Sequence, residues 1–269
     1  MDWSKTKTIL IITLIIVNVF LLYFYVEKPI KDHNEVSEEL IALLENKGIY
    51  FENRNYQFPE KLDRIYVEYK EYDVVTIKNL LGKNYMKNNS LYINKDYYVE
   101  IGEDNVLTYA RRGIILGDNE MTEADAIDFG QAFLESVSLY TPNVVLDTSE
   151  KVDDYVVVTY KKVVDDRFIE NSYMKLKLFN NKVISLERKW LSHEVSSSES
   201  NKIIPLNMAV YKLESKLNQS NGVKIENVSL GYVLENDVFV QNIQSGEAFP
   251  FYKFMLSDGS EVYIEAMDR

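Results

Sequence analysis

The sequence predicts an α+β protein in which a single N-terminal transmembrane helix precedes an extracytoplasmic region of tandem helix-plus-antiparallel-sheet units. Three observations predict it. Ile9 to Val26 is a run of eighteen residues without a charge. Beyond it, segments of helical spacing alternate with segments of period two. The last two hairpins also match one another at a shift of 78 residues.

The apolar run is interrupted only by Thr13 and Asn18. As a helix rising about 1.5 Å per residue it spans roughly 27 Å, close to the thickness of a bilayer's hydrocarbon. A cleaved signal peptide is the competing reading, but the run is long and ends in bulky Leu22, Tyr23, Phe24, Tyr25 and Val26 rather than small residues. Lys5 and Lys7 precede it, while Glu27, Lys28, Lys31 and Asp32 cancel one another after it. Residues 1–8 are thus expected to be a cytoplasmic tail and residues 9–26 a signal anchor of the cell membrane. Trp3, Tyr23 and Tyr25 suit the two interfaces, and the absence of cysteine suits an exterior compartment.

The segment EVSEELIALLENKG sets Val36, Leu40, Leu43 and Leu44 at helical spacing before Gly48, a suitable stop. IYFEN and RIYVEYKEY read as strands, TIKNLLGK as a short helix, and YYVEIGEDNVLTYAR as two strands about a polar turn. A second helix starts at Thr122 as N-cap, with Ala126, Phe129, Phe133 and Val137 on its apolar stripe. Four strands follow: NVVLDT, DYVVVTYKKV, SYMKLKLF and KVISLERKW. The polar stretch SHEVSSSESNK separates them from a third helix, PLNMAVYKLESKL, with Pro205 in its first turn. IENVSLGYVLE, FPFYKFMLS and EVYIEAM close the chain as strands.

The 78-residue shift sets Met174, Leu176 and Leu178 on Tyr252, Phe254 and Leu256, and Ile184 and Leu186 on Val262 and Ile264. It also sets Asn180-Asn181 on Asp258-Gly259, two pairs that tolerate the positive φ of a tight hairpin. Any two amphipathic hairpins align in this way, but a helix stands ahead of each, which favours tandem units. The expected organisation is therefore a first α+β domain over 27–117 and a second over 118–269, made of units 118–192 and 203–269.

Beyond residue 31 the chain holds 26 basic and 40 acidic residues. A surface so acidic disfavours nucleic acid and anionic wall polymers. Catalytic groups are sparse. The histidines are His33 and His193, so a zinc site or a Cys-His pair is not expected. Ser192, His193 and Glu194 offer triad residue types without a strained nucleophile turn. The aspartates at 152–154 and 164–167 lack the spacing of a calcium loop and read as turns. The sequence therefore predicts no enzyme, no cofactor and no metal.

Asn18 is a polar residue at the middle of an apolar run. An amide there gains from a partner across a helix interface, or is tolerated by bonding to its own helix backbone. Leu14, Leu22 and Tyr25 share its face at helical spacing, and these four residues are the candidate protein-interaction surface.

The opening Met1-Asp2-Trp3-Ser4-Lys5-Thr6-Lys7-Thr8-Ile9, with Asn18 and Phe20-Leu21-Leu22-Tyr23 downstream, resembles the start of the YycH/YycI family. The terminal LGYV and PFYKFMLSDGSEVYIEA segments are similar to the PepSY-like units of that family's exterior. The resemblance implies an accessory regulator from low-GC Gram-positive bacteria. It implies a YycH-like protein as partner in a heterodimer, and association with the sensor histidine kinase WalK (YycG), which governs cell-wall metabolism. In the family the transmembrane helices form much of that contact. The alternative is an extracytoplasmic binding or inhibitor module for a peptide or wall fragment, with the helix as a tether.

Overall fold

In the computed structural model, residues 3–26, 34–52, 56–102, 105–113, 117, 119–195, 201–217, 222–234 and 245–267 are described. The elements from the N-terminus are α1 (Trp3–Val26), α2 (Glu38–Asn46), β1 (Ile49–Phe51), β2 (Lys61–Leu62), β3 (Ile65–Tyr69) and α3 (Val74–Leu81). Next come β4 (Met86–Asn88), β5 (Leu91–Ile93), β6 (Tyr97–Ile101), β7 (Leu107–Arg111) and α4 (Glu123–Ser136). The long strands β8 (Val144–Val152), β9 (Tyr155–Val164), β10 (Arg167–Phe179) and β11 (Lys182–Lys189) follow, then β12 (Leu191–Val195) and β13 (Asn201–Lys202). The chain ends with α5 (Leu206–Lys216), β14 (Val223–Leu234), β15 (Ser245–Leu256) and β16 (Glu261–Glu265).

The predicted run at 9–26 does fold as helix, within α1. Among the described residues, however, no helix is long and apolar enough to cross a membrane. This overturns the expected transmembrane anchor, and with it the single-pass placement that set residues 1–8 inside the cell and the rest outside. The described side chains of α1 are exposed.

The expected separate antiparallel sheets are also corrected. Fourteen strands form one mixed sheet, ordered β12-β3-β15-β14-β10-β11-β7-β6-β5-β4, with β1 also on β14, β16 on β15, and β8 carried by β9 on β10. β13 pairs with β2 apart from it. β14 runs parallel to both β1 and β10, and β3, from the N-terminal region, lies between β15 and β12. Alternation along a strand reports which face is buried. It does not report which edge pairs with which, because main-chain hydrogen bonds are the same for every sequence.

Two apolar cores lie on this sheet. One gathers α2, β1, β3, α5 and β14 to β16, with Ile41, Leu44, Ile49, Leu213, Tyr252 and Phe254 at its centre. The other gathers α3, α4 and β6 to β11 around Leu107, Leu134, Tyr160, Met174 and Leu176. β10 serves both: Ile169 belongs to the first core, and Met174, Leu176 and Leu178 to the second. Between them the β10 register on β9 jumps, since Ile169 pairs with Lys162 but Tyr173 pairs with Lys161. The three extra residues, Glu170 to Ser172, let β10 leave one core for the other.

Helix ends follow local chemistry. Thr122 caps α4 as expected, in a reciprocal capping box with Asp125. Asp73 caps α3 by accepting from Thr76 N at 2.8 Å. In α2 the buried residues are Ile41 and Leu44, while Leu43 is 40% exposed, so the predicted stripe is rotated toward α5. Ala126, Gly130 and Leu134 bury the α4 stripe, with Phe129 and Phe133 half-buried at its flank. A Cβ at Gly130 would stand 3.2 Å from Tyr160 Oη and 3.3 Å from Leu176 Cδ1, which explains a glycine inside a helix pressed on the sheet.

The two matched hairpins share faces but not register. Met174, Leu176, Leu178, Tyr252, Phe254 and Leu256 are all buried. Yet Leu176 pairs with Leu186, while its counterpart Phe254 pairs with Val262. Asn180 and Asn181 both adopt positive φ, at 43° and 57°, the requirement of a two-residue type I′ turn. At the counterpart only Gly259 does, at 79°, and Asp258 instead accepts from Ser260 N at 2.9 Å. A bulge at Lys177/Leu178 and the longer second turn account for the offset.

Gly231 on β14 marks the closest approach to β10: a Cβ there would lie 2.8 Å from Phe168 O. Gly231→Ala is therefore expected to lower stability by about 1–3 kcal/mol. A urea midpoint unchanged from the parent protein would contradict that contact.

Candidate functional site

The least ordinary chemistry lies where the two cores meet, at consecutive lysines of β9. Lys161 and Lys162 are 6% exposed each, because the sheet is covered on both faces at this point. Neighbouring residues on a strand point to opposite faces, so the two amines enter different surroundings.

Lys161 is ion-paired with Glu170 of β10 and with Asp147 of β8, the latter at 3.3 Å. Lys253 of β15 lies 3.6 Å from Glu170 and 2.5 Å from Glu261 of β16, and Tyr263 Oη donates to Glu261 at 2.5 Å. Five strands from both cores are thus joined by one alternating chain of charges. Burial lowers the Lys161 pKa, but Glu170 and Asp147 outweigh it and hold the amine above the ordinary lysine value. Burial likewise raises Glu261, yet Lys253 and Tyr263 leave it below the usual carboxylate value. The cavity beside this cluster, lined by Phe168, Glu170, Gly231, Lys253 and Tyr263 among others, is about 10 Å³. It has room for about one water and none for an organic substrate. Its geometry suits a clamp between the halves of the sheet.

Lys162 has no such carboxylate among the described residues. Its Nζ donates to Leu191 O at 2.6 Å, and burial, followed by the charges of Arg188 and Lys70, pushes its pKa down to about 8. Arg188 is itself buried, over the rings of Trp190 at 4.9 Å and Tyr72 at 5.4 Å. Tyr72 Oη donates to Arg188 O at 2.8 Å, and Ser172 Oγ accepts from Leu191 N at 3.1 Å. These contacts fasten the start of β12.

The triad types Ser192, His193 and Glu194 fall on β12, in what the sequence marks as a polar connection. β12 pairs with β3, His193 opposite Val67, so Ser192 and His193 face opposite ways. Ser192 Oγ donates to Glu68 O at 3.1 Å. Burial and then Lys162 hold the His193 pKa below its ordinary value. The side chain of Glu194, and His33, lie outside the described residues. Asp153, and the pair Asp165-Asp166, are hairpin turn residues with positive φ, as their spacing suggests. Among the described residues no group of three potential ligands is placed to hold a metal ion.

On α1, Asn18 Nδ2 donates to Leu14 O at 2.8 Å, one turn back. The amide thus takes the backbone partner that the sequence left open as an alternative to a neighbouring helix. Leu14 is 62% exposed, and Asn18 is exposed beside it. The side chains of Leu22 and Tyr25 lie outside the described residues. Sequence reasoning passed over Lys161 and Lys162, although two adjacent lysines within VVVTYKKVV are the available signal: in a strand covered on both faces at least one must be buried.

No family model matches the chain, and no curated protein matches it. Among solved structures, it is similar to an uncharacterized protein from Eubacterium rectale, with a TM-score of 0.51 and 10% identity, over 82% of this chain and 89% of that one. It is also similar to the Bacillus megaterium YpeB C-terminal domain, with a TM-score of 0.42 and 15% identity, over 74% of this chain and 94% of that domain. The first likeness shows a shared fold. Neither likeness shows the family.

Two outcomes test this reading. Removing the Glu170 charge leaves Lys161 with Asp147 alone and Lys253 with Glu261 alone, so Glu170→Gln is expected to cost about 2 kcal/mol in chemical denaturation. For Lys162 the folded pKa of about 8 lies below the ordinary 10.5, so the unfolded chain holds the proton more tightly. The penalty is complete below pH 8 and is relieved as pH rises toward 10.5. Denaturation at pH 7.5 and 9.5 should therefore show a rise in stability with pH, at most about 3 kcal/mol, that Lys162→Met abolishes.

Proposed function

We propose that the protein acts by association and not by catalysis, as an accessory regulator that pairs with a YycH-like protein and modulates a sensor histidine kinase of the WalK (YycG) type. The observation that carries an association role is the open sheet. Among the described residues its path ends in β12 on one side and β4 on the other, and a terminal strand offers main-chain groups to another chain. The opening motif and the terminal hairpin support the choice of partners through their resemblance to the YycH/YycI family. The exposed face of α1 bearing Leu14 and Asn18 is a second surface suited to a helix of a partner.

The expected action is a shift of population. A kinase with two arrangements is biased by a partner that binds one better, and a differential of about 1.4 kcal/mol changes their ratio tenfold. The small cavity at the lysine cluster and the engagement of Ser192 in the β12–β3 pairing support a binding role over a hydrolytic one.

Tagged protein is expected to co-purify from cells with a YycH-like protein and the kinase, and its deletion to shift the output of a kinase-dependent reporter. Asn18→Leu should weaken co-purification if the α1 face contributes. Neither association nor a reporter change, at normal protein levels, would overturn the proposal.

A further inference from the structure

The chain carries 42 acidic residues, yet from Val74 to Lys95 there are 22 residues with no carboxylate and four lysines, Lys78, Lys83, Lys87 and Lys95. The run covers α3 and the β4–β5 hairpin. Asp73 and Asp96 bound it at either end, and Asp73 is engaged in capping α3. The fold puts this basic stretch at the terminal edge of the sheet. β4 pairs with β5 on one side through Met86↔Ile93, Lys87↔Tyr92 and Asn88↔Leu91, and ends the strand order on the other. All three β4 residues are exposed, Met86 by 74%.

Beside the edge is an open depression of about 420 Å³, lined among others by Tyr85, Met86, Ile93, Lys95 and Arg112. In its lining Arg112 Nη1 donates to Asn94 O at 3.0 Å, and Tyr85 meets Tyr92 edge to face at 5.8 Å; outside the lining, Lys87 Nζ stands 5.3 Å from the centre of the Tyr92 ring. Lys83, Lys87, Lys95 and Arg112 are exposed, and none of them takes part in an ion pair among the described residues. Lysines on an edge deter a basic or neutral strand and admit one that brings carboxylates.

We infer that the β4 edge is a docking site for an acidic, extended polypeptide segment, which adds to the sheet through main-chain hydrogen bonds. Side chains on one face of the segment enter the depression, where Met86 and Ile93 give apolar contact and Lys95 and Arg112 meet carboxylates, and carboxylates on its other face meet Lys87, with Lys83 nearby in sequence. The inference goes beyond the regulator proposal and does not depend on it, because its test reads binding and no kinase output.

The probe is a fluorescein-labelled ten-residue peptide of alternating glutamate and valine, titrated with the full chain by fluorescence anisotropy. Its lysine-valine counterpart, a version N-methylated at alternate backbone positions, and poly(U) RNA are the comparisons. The glutamate peptide is expected to bind with an affinity that falls as salt rises. The triple variant Lys83→Gln, Lys87→Gln, Lys95→Gln should bind about tenfold more weakly, three exposed pairs being lost. A triple variant at Lys175, Lys182 and Lys202, away from the edge, should bind as the parent does, with circular dichroism unchanged in both. The N-methylated peptide should also lose affinity about tenfold. Equal binding of the glutamate and lysine peptides, no binding of either, or full binding by the edge variant overturns the site. Full binding of the N-methylated peptide overturns strand addition. Poly(U) binding with the same dependence on the three lysines overturns the assignment to a polypeptide.

Discussion

The approach of β14 to β10 is the constraint on which the rest of the structure depends. The two strands run parallel and come so close at Gly231 and Phe168 that no side chain fits between them. Parallel neighbours need a long connection, and here residues 180–222 supply it, carrying β11 to β13 and α5. Asn171 Oδ1 accepts from Leu234 N at 3.0 Å, so the irregular stretch of β10 supplies a bond that a regular ladder would have supplied. Without this junction the chain has two cores and no continuous sheet.

Charge completes what the backbone begins. Glu170 sits in the same irregular stretch and faces Lys161 from one core and Lys253 from the other. Buried ion pairs add little net stability, because desolvation offsets attraction, but they penalise any arrangement that separates the partners. In this sheet that penalty falls on sliding of β10 against β15. Lys162, on the opposite face, is bonded to a main-chain carbonyl and faces other cations, an expense the fold carries where β12 is fastened.

Much of the local structure is legible in the sequence. Thr122 caps α4, Asn180-Asn181 turns the β10–β11 hairpin, and the aspartates at 153 and 165–166 are turn residues, because each depends on neighbours within a few positions. Legibility fails where a partner is distant. SHEV reads as a polar connection and becomes β12 because β3, more than a hundred residues earlier, offers it an edge. The α2 stripe turns toward Ile41 because α5 lies beside it. Counting uncharged residues at 9–26 predicted a membrane span, whereas among the described residues no helix is long and apolar enough to cross a membrane. For the candidate sites, the adjacent lysines of β9 and the carboxylate-free stretch from Val74 to Lys95 are both visible in the sequence. That one is a buried clamp and the other a sheet edge is not.

By itself, then, the sequence determined the longer helices and strands, the inward faces of those strands, the caps and the tight turns, since steric preference and hydrophobic burial act within one or two turns of chain, whereas the short strands β2, β4, β5, β12 and β13 carry no such signal. Tertiary structure alone decided that the strands join into one mixed sheet, that its halves meet at Gly231, and that β4 and β12 are left at its ends. The physical reason is that strand pairing is made by main-chain groups common to all residues. Only the packing of whole faces, with the few side chains or glycines that tolerate close approach, selects among the possible partners.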